Sequence, residues 1–258
     1  MLPQALLLSI VLTPIVFPSV AHALIGGRLT SRAEYPSLAV IEELGCSAVI
    51  IDATTALTAA HCFFPPASKR RTPLFDLSTS LSFDQASWTG DSHTRLRYED
   101  FSFAAHNIAI HPRVDLAVIR FSPAAVLASD GPTPTPLTLT PLQVGDRVEL
   151  AGFGLNASKV GTSLIQELTD ATASISMAAQ GPLSLHAGPG DSGGPVYRRR
   201  NVHSSLEVVA LISGSSDLSP YLSNNEVLAA AARGELFTEF VRVDTPEIQT
   251  WIRSVPPR

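Results

Sequence analysis

The hexapeptide Gly190-Asp191-Ser192-Gly193-Gly194-Pro195 places a hydroxyl nucleophile in a turn of small residues. Backbone N–H groups in such a turn are open to a developing oxyanion, and the missing side chains let a substrate approach the main chain. A serine hydroxyl is a weak nucleophile until a neighbouring base takes its proton. Upstream, Leu57-Thr58-Ala59-Ala60-His61-Cys62 puts a histidine at the end of an apolar strand, and Asp115-Leu116-Ala117-Val118-Ile119 puts an acid at the start of another. A histidine held between a hydroxyl and a carboxylate can take and return one proton, which is the requirement of acyl transfer. Singly, a histidine or aspartate at a strand end is more often a satisfied structural group than a catalytic one.

Such groups meet only if several elements carry them to one place. Short β-branched runs recur between turn signals over residues 37–42, 47–51, 107–111, 116–121, 147–152, 195–197, 206–213 and 237–243. Many short strands predict an all-β sandwich or barrel. One helix pattern stands out, where Ile248, Trp251 and Ile252 recur at helical spacing after Thr245-Pro246, a plausible N-cap and first-turn proline. This predicts a C-terminal helix docked on the body of the protein. Gly131-Pro132-Thr133-Pro134-Thr135-Pro136 cannot sit inside a central strand, because proline lacks the ladder donor, and reads as a connector between two β units of about a hundred residues. Residues 63–98 are polar with little periodicity and read as surface loops, with Lys69-Arg70-Arg71 a solvated tip. Arg198-Arg199-Arg200 read as a hairpin turn.

The chain has 258 residues, 45% hydrophobic and 16% charged, with net charge −5. That balance describes a globular protein and argues against disorder, coiled coils and basic nucleic-acid binders. Residues 1–23 read as an export signal. Their apolar stretch, residues 5–20, is interrupted by Pro14 and Pro18 and falls short of the roughly 20 residues of a spanning helix, and Ala21-His22-Ala23 is a small-residue cleavage pattern. The expectation is a secreted or periplasmic protein with no membrane attachment after cleavage. In an oxidising compartment Cys46 and Cys62 predict one bridge; buried free thiols are the alternative in a reducing one. CxxC pairs and HExxH helices are absent, so neither a zinc site nor any cofactor is expected.

Taken together, in the order His61, Asp115, Ser192, these segments resemble the trypsin and chymotrypsin family of serine endopeptidases, in the manner of a bacterial exported member. The resemblance runs from Leu24 to the C-terminal helix and includes Leu24-Ile25-Gly26-Gly27, Gly152-Phe153-Gly154 and Trp251-Ile252. It implies two packed six-stranded antiparallel β-barrels with a C-terminal α-helix. The corresponding division is a signal over 1–23, a first barrel over 24–124 with the histidine and aspartate, a proline-rich connector over 125–142, and a second barrel over 143–258. It further implies Ser192 as nucleophile, His61 as general base and acid, Asp115 orienting it, and the N–H groups of Gly190 and Ser192 as oxyanion hole. Ser213, Gly214 and Ser215 would pair with extended substrate, Ser213 would touch Asp115, and Cys46 and Cys62 match the family bridge beside the catalytic histidine. Protein or peptide substrates follow, a protein inhibitor is a further candidate partner, and a monomer is expected, without nucleic acid.

Gly190-x-Ser192-x-Gly194 also satisfies the nucleophile elbow of α/β-hydrolases, but that fold places its acid and histidine after the serine. Here the only later histidine is His203. In the trypsin family a new N-terminal ammonium pairs with the acid before the nucleophile, here Leu24 with Asp191. The predicted signal cleavage falls immediately before Leu24, so export itself would activate the chain. His186, six residues before Ser192, stands where the family's pocket floor carries an aspartate in enzymes selecting Lys or Arg, so a pocket for apolar side chains is expected. A hydrogen-bonding floor for polar or acidic ones is the other reading. Gly214 and Gly188 replace bulkier pocket walls, and Thr238 is a candidate opposite wall across an insertion over residues 224–234. The alternative function is an inactive or zymogen-like homologue acting as a secreted binding protein.

Overall fold

The computed structural model describes residues 24–31, 33–41, 44–63, 95–98, 101–127, 131–154, 157–177, 185–199, 205–216 and 224–256. The predicted signal, Lys69-Arg70-Arg71, Arg200 and His203 lie outside the described residues. After β1 (Arg28–Leu29), six antiparallel strands form a closed barrel: β2 (Leu38–Ile41), β3 (Cys46–Asp52), β4 (Thr55–Thr58), β5 (Arg95–Tyr98), β6 (Phe101–Ile110) and β7 (Ala117–Phe121). Their order around the ring is β2-β3-β4-β7-β6-β5. A short helix, α1 (Ala124–Leu127), follows.

The second sheet contains β8 (Arg147–Gly152), β9 (Lys159–Leu164), β10 (Glu167–Leu168), β11 (Thr172–Ser176), β12 (Pro195–Arg198), β13 (Glu207–Ser215) and β14 (Phe237–Arg242). Its order is β1-β9-β8-β12-β13-β14-β11-β10. Strands β9 and β10 are two lengths of one bent run, paired with β8 on one side and β11 on the other. Gln166, at the bend, donates its N–H to the Ser174 carbonyl at 3.0 Å. The run thus joins both ends of the sheet and closes a second six-stranded barrel, with β1 added outside it along β9.

Strand β3 is buried from Cys46 to Ile51 because its alternate residues serve two cores. Ala48 and Ile50 fill the first barrel with Ile41, Ala56, Leu96, Ile108 and Ile119. Val49 and Ile51 point outward and pack with Leu57, Val118, Ala151, Tyr197, Leu211 and Val241 between the barrels. The period-two alternation of a strand therefore reads as a continuous apolar run wherever both faces are covered. The second barrel has its own interior of Val148, Leu150, Ile175, Val196, Val209 and Phe240.

The predicted C-terminal helix is present as α3 (Pro246–Ser254), with Thr245 capping the Ile248 N–H and Pro246 in the first turn. Buried Ile248 and Ile252 join the inter-barrel core, a contribution of roughly 1.5–3 kcal/mol each. Arg120 on β7 donates to the carbonyls of Ile252 and Val255, so the helix is fastened to the first barrel. The connector, residues 131–142, forms no strand and only a single bridge, Leu137 with Val208.

Two local expectations are corrected. Residues 95–98, read as loop, form β5 and pair with β2 and β6. Arg198 is a buried member of β12, not a solvated turn, and donates to Asp146 Oδ2 at 3.0 Å and Thr138 Oγ1 at 2.7 Å. The insertion over 224–234 contains a helix, α2 (Asn224–Ala232).

Candidate active site

His61 sits in a 3₁₀ turn, Ala60–Phe63, directly after β4. Asp115 precedes β7, the strand hydrogen-bonded to β4. Neighbouring strands thus bring the two together across a sequence separation of 54, and Asp115 holds His61 twice: Oδ1 accepts the backbone N–H at 2.8 Å and Oδ2 lies 2.7 Å from Nδ1. Ser213 at the end of β13 adds a third contact, its hydroxyl donating to Asp115 Oδ2 at 2.6 Å. Burial pulls the His61 imidazole toward its neutral form, but the hydrogen bond and charge of Asp115 outweigh it and leave its pKa above the ordinary value. Burial likewise opposes ionisation of Asp115, yet His61 and Ser213 together hold its carboxyl below the usual range. Nδ1 is fixed toward the acid, which leaves Nε2 to face a substrate.

The loop carrying Asp115 is shaped by His111, which sequence reading used only as a strand end. Its Nδ1 accepts the N–H groups of Arg113 and Val114 at 3.1 and 3.2 Å, and its backbone N–H donates to Leu116 at 2.8 Å. Burial and nearby Arg113 push its pKa down to about 4. Trp251 of α3 meets the His111 ring edge-on at 4.6 Å.

Ser192 lies partly exposed on the turn between Gly190 and Gly193, which have φ of +93° and +79°, a region that strongly favours glycine. A side chain at Gly193 would also collide with the Thr58 hydroxyl and the Ser47 carbonyl. Among the described residues the N–H groups of Gly190 and Ser192 have no acceptor. The Ser192 hydroxyl is likewise unbonded among these residues, to His61 included.

A further residue, Ser47 on β3, fixes this turn and carries no sequence signal. Its N–H donates to the Ser192 carbonyl, its hydroxyl donates to the Gly190 carbonyl, and the hydroxyl accepts the Phe153 N–H, each at 2.8 Å. A first-barrel strand thus grips the Ser192 turn of the second. Cys46, adjacent to it, is disulfide-bonded to Cys62, adjacent to His61. Cys46, His61 and Cys62 bring possible ligand atoms within 4.8 Å of one another, but both sulfurs are spent in the bridge and offer no thiolate to a metal.

Asp191 is fully buried, and its carboxylate accepts N–H groups from Leu24 at 2.8 Å, Gly188 at 2.9 Å and Gly154 at 3.3 Å. Burial nonetheless pushes its carboxyl up to about 6. Leu24 is itself buried, and Ile25 bridges to His186 in both directions, at 2.9 and 3.2 Å.

His186 is 1% exposed. Its Nε2 lies 3.1 Å from the Ser216 hydroxyl, while Nδ1 is buried without a partner. That hydroxyl also accepts the Phe237 N–H at 2.8 Å and donates to the Phe237 carbonyl at 3.3 Å. Its single proton is then used, so the His186 Nε2 carries the hydrogen. Burial lowers the His186 pKa and keeps it neutral. Thr238 closes the same region, its hydroxyl accepting the Ala187 N–H at 2.9 Å. Gly214 and Ser215 are partly exposed at the end of β13, where a Cβ on Gly214 would meet nothing within 4 Å.

The model of the trypsin-like peptidase domain matches residues 46–203, more than half of the chain. No curated protein matches it. The matched span reaches from the bridge cysteine on β3 past the Ser192 turn, and the two barrels described above are the architecture such a domain requires. The chain therefore belongs to the trypsin-like peptidase domain family, a family of peptidases of the chymotrypsin fold whose substrates are proteins.

Proposed function

We propose that this protein is an exported serine endopeptidase that cleaves through an acyl-enzyme on Ser192. The observation that carries this reading is the hydrogen-bonded row His61–Asp115–Ser213, set in a peptidase domain beside two unengaged N–H groups at Gly190 and Ser192. Ser192 Oγ attacks the substrate carbonyl while His61 Nε2 takes its proton; the same nitrogen then protonates the leaving amine. Water repeats the attack to release the acid. The Gly190 and Ser192 N–H groups hold the oxyanion, a term worth about 3–4 kcal/mol per donor in related hydrolases. Substrate adds as a strand along Ser213–Ser215. The neutral His186 floor supplies no counter-ion for Lys or Arg, and Thr238 narrows it, so the acyl residue is a small or medium uncharged one. Export is supported by the Cys46–Cys62 bridge, and no helix among the described residues is long and apolar enough to cross a membrane.

Cleavage before Leu24 turns its amide into an ammonium already 2.8 Å from Asp191. Before cleavage Asp191 meets only an amide there, and the uncleaved chain is zymogen-like for want of the ammonium. The test is a fluorophosphonate probe applied to the exported protein, read by intact mass. One adduct on a chain starting at Leu24, absent from Ser192→Ala, is the expected result. An unlabelled chain starting at Leu24 would refute the reading in favour of a binding protein.

A further inference from the structure

Strand β12 pairs with β13 as far as Leu211, and Ile212 still meets Gly193 and Gly194 through its backbone. Beyond that, Ser213–Ser215 is paired only to β14 among the described strands, which leaves one edge for a substrate strand. Across the sheet from that edge, Gly214 opposes Glu239, Glu239 opposes Ser174, and Ser174 opposes Glu167. Directly opposed residues share a face of the sheet. One line therefore runs from substrate over a glycine to Glu239. On this face lies a cavity of about 330 Å³ bordered by Glu239, Glu167, Phe237 and the hydroxyls of Thr172 and Ser174.

Among the described residues no Lys or Arg pairs with Glu239 or Glu167; their side chains meet the hydroxyls of Thr172 and Ser174. Glu239 is only partly buried, yet burial, with a smaller push from the charge of Asp115, raises its pKa. Among the described residues it has no cationic partner beside the substrate path.

We propose that Glu239 is a specificity-determining residue that selects a Lys or Arg side chain on the substrate residue facing Gly214, an inference that rests on the protease reading above. With the acyl residue beside Ser213, this is the residue immediately before it. Two strand spacings, about 10 Å, separate that residue from Glu239. A four-carbon lysine stem or a guanidinium closes the gap from one side and the glutamate arm from the other. No side chain at Gly214 blocks the route. Phe237, two residues from Glu239 on the same face of β14, offers an aromatic surface to the cation. With an uncharged His186 floor, Glu239 is the first carboxylate among the described residues on this line from the substrate edge.

The test is a set of peptides cleaved at one bond, with the acyl residue fixed at the best one found in an unbiased peptide mixture, and Arg, Gln or Glu placed before it. The expected kcat/KM for Arg exceeds that for Gln by about tenfold, as for a partly desolvated charge pair. In Glu239→Gln the Arg/Gln ratio falls near one, and in Glu239→Lys the Glu peptide overtakes the Arg peptide. Ratios within one preparation do not depend on how much of it is folded. Equal rates for Arg and Gln in the unaltered protein, or a preference surviving in Glu239→Gln, would overturn the inference while leaving the protease reading intact. Failure to cleave any peptide, together with no fluorophosphonate adduct, would overturn both.

Discussion

Cleavage before Leu24 should change the pH dependence of stability in a calculable way. In the uncleaved chain Leu24 offers Asp191 only an amide N–H, and burial raises the carboxyl from 3.8 to about 6. The folded chain therefore holds this proton more tightly than the unfolded chain does. Stability is lost as pH rises from about 4 to 6, and the full penalty, about 3 kcal/mol at 1.36 kcal/mol per pKa unit, persists above. After cleavage an ammonium stands 2.8 Å from Asp191 Oδ2. At an effective dielectric constant of about 20 its gross attraction is about 6 kcal/mol, against several kcal/mol of desolvation. That is enough to hold the carboxylate ionised through the window. Urea unfolding of two chains in a Ser192→Ala background, one starting at Leu24 and one carrying residues before it, gives the difference directly. All other titrating groups cancel in that difference. It should grow in favour of the cleaved chain by about 3 kcal/mol between pH 4 and 7, a range in which the free α-amino group stays largely protonated. A difference that stays constant over this range would refute the reasoning.

Two further outcomes follow from the same contacts. Ser47→Ala removes the hydroxyl that joins the Gly190 carbonyl to the Phe153 N–H; kcat should fall about tenfold, the cost of one disturbed hydrogen-bonded group, with KM within about twofold. An unaltered kcat would exclude Ser47 as a positioning residue. In Asp115→Asn the partner that raises His61 is lost. The acid limb of the kcat/KM profile should therefore move to lower pH while the plateau drops by about 10⁴, as for the equivalent change in related enzymes; a limb that stays in place would separate Asp115 from the titration of His61.

The residues of the candidate site were more legible in the sequence than the strands that carry them. Ser192, His61 and Asp115 stand in short local patterns, and α3 announces itself through Thr245, Pro246 and three apolar residues at helical spacing. Seven of the eight apolar runs became strands within two residues of their predicted ends, and the run at 107–111 became the longer β6, which begins six residues earlier at Phe101. Strands β9, β10 and β11 escaped because Lys159–Leu164, Glu167–Leu168 and Thr172–Ser176 mix glycine, serine and threonine with few large apolar residues. Their hydrophobic signal is weak, since the buried face carries Val160, Ala173 and Ile175 beside the polar Ser163. Arg198 misled for the opposite reason. A run of charges reads as solvated, yet Asp146, Thr138 and two carbonyls compensate its burial, and those partners lie 52 to 60 residues away.

Ser47 shows why part of the site was out of reach. Its partner at Gly190 is 143 residues distant, and serine after a strand cysteine has no pattern that would single it out. The requirement exists only once two barrels are packed together. The Ser192 turn belongs to the second barrel, His61 and Asp115 to the first, and nothing within either barrel fixes their relative placement. Among the polar contacts that cross this boundary are Ser47 on the Gly190 carbonyl, the Ser213 hydroxyl on Asp115, the Ser37 hydroxyl with that of Tyr197, and Arg120 on the α3 carbonyls. The apolar core between the barrels is tolerant of small slips, because hydrophobic contact is not directional. Hydrogen bonds are directional, with distances confined to a few tenths of an ångström. On this argument the inter-barrel core supplies most of the adhesion, and directional contacts such as these set the register of the Ser192 turn against His61.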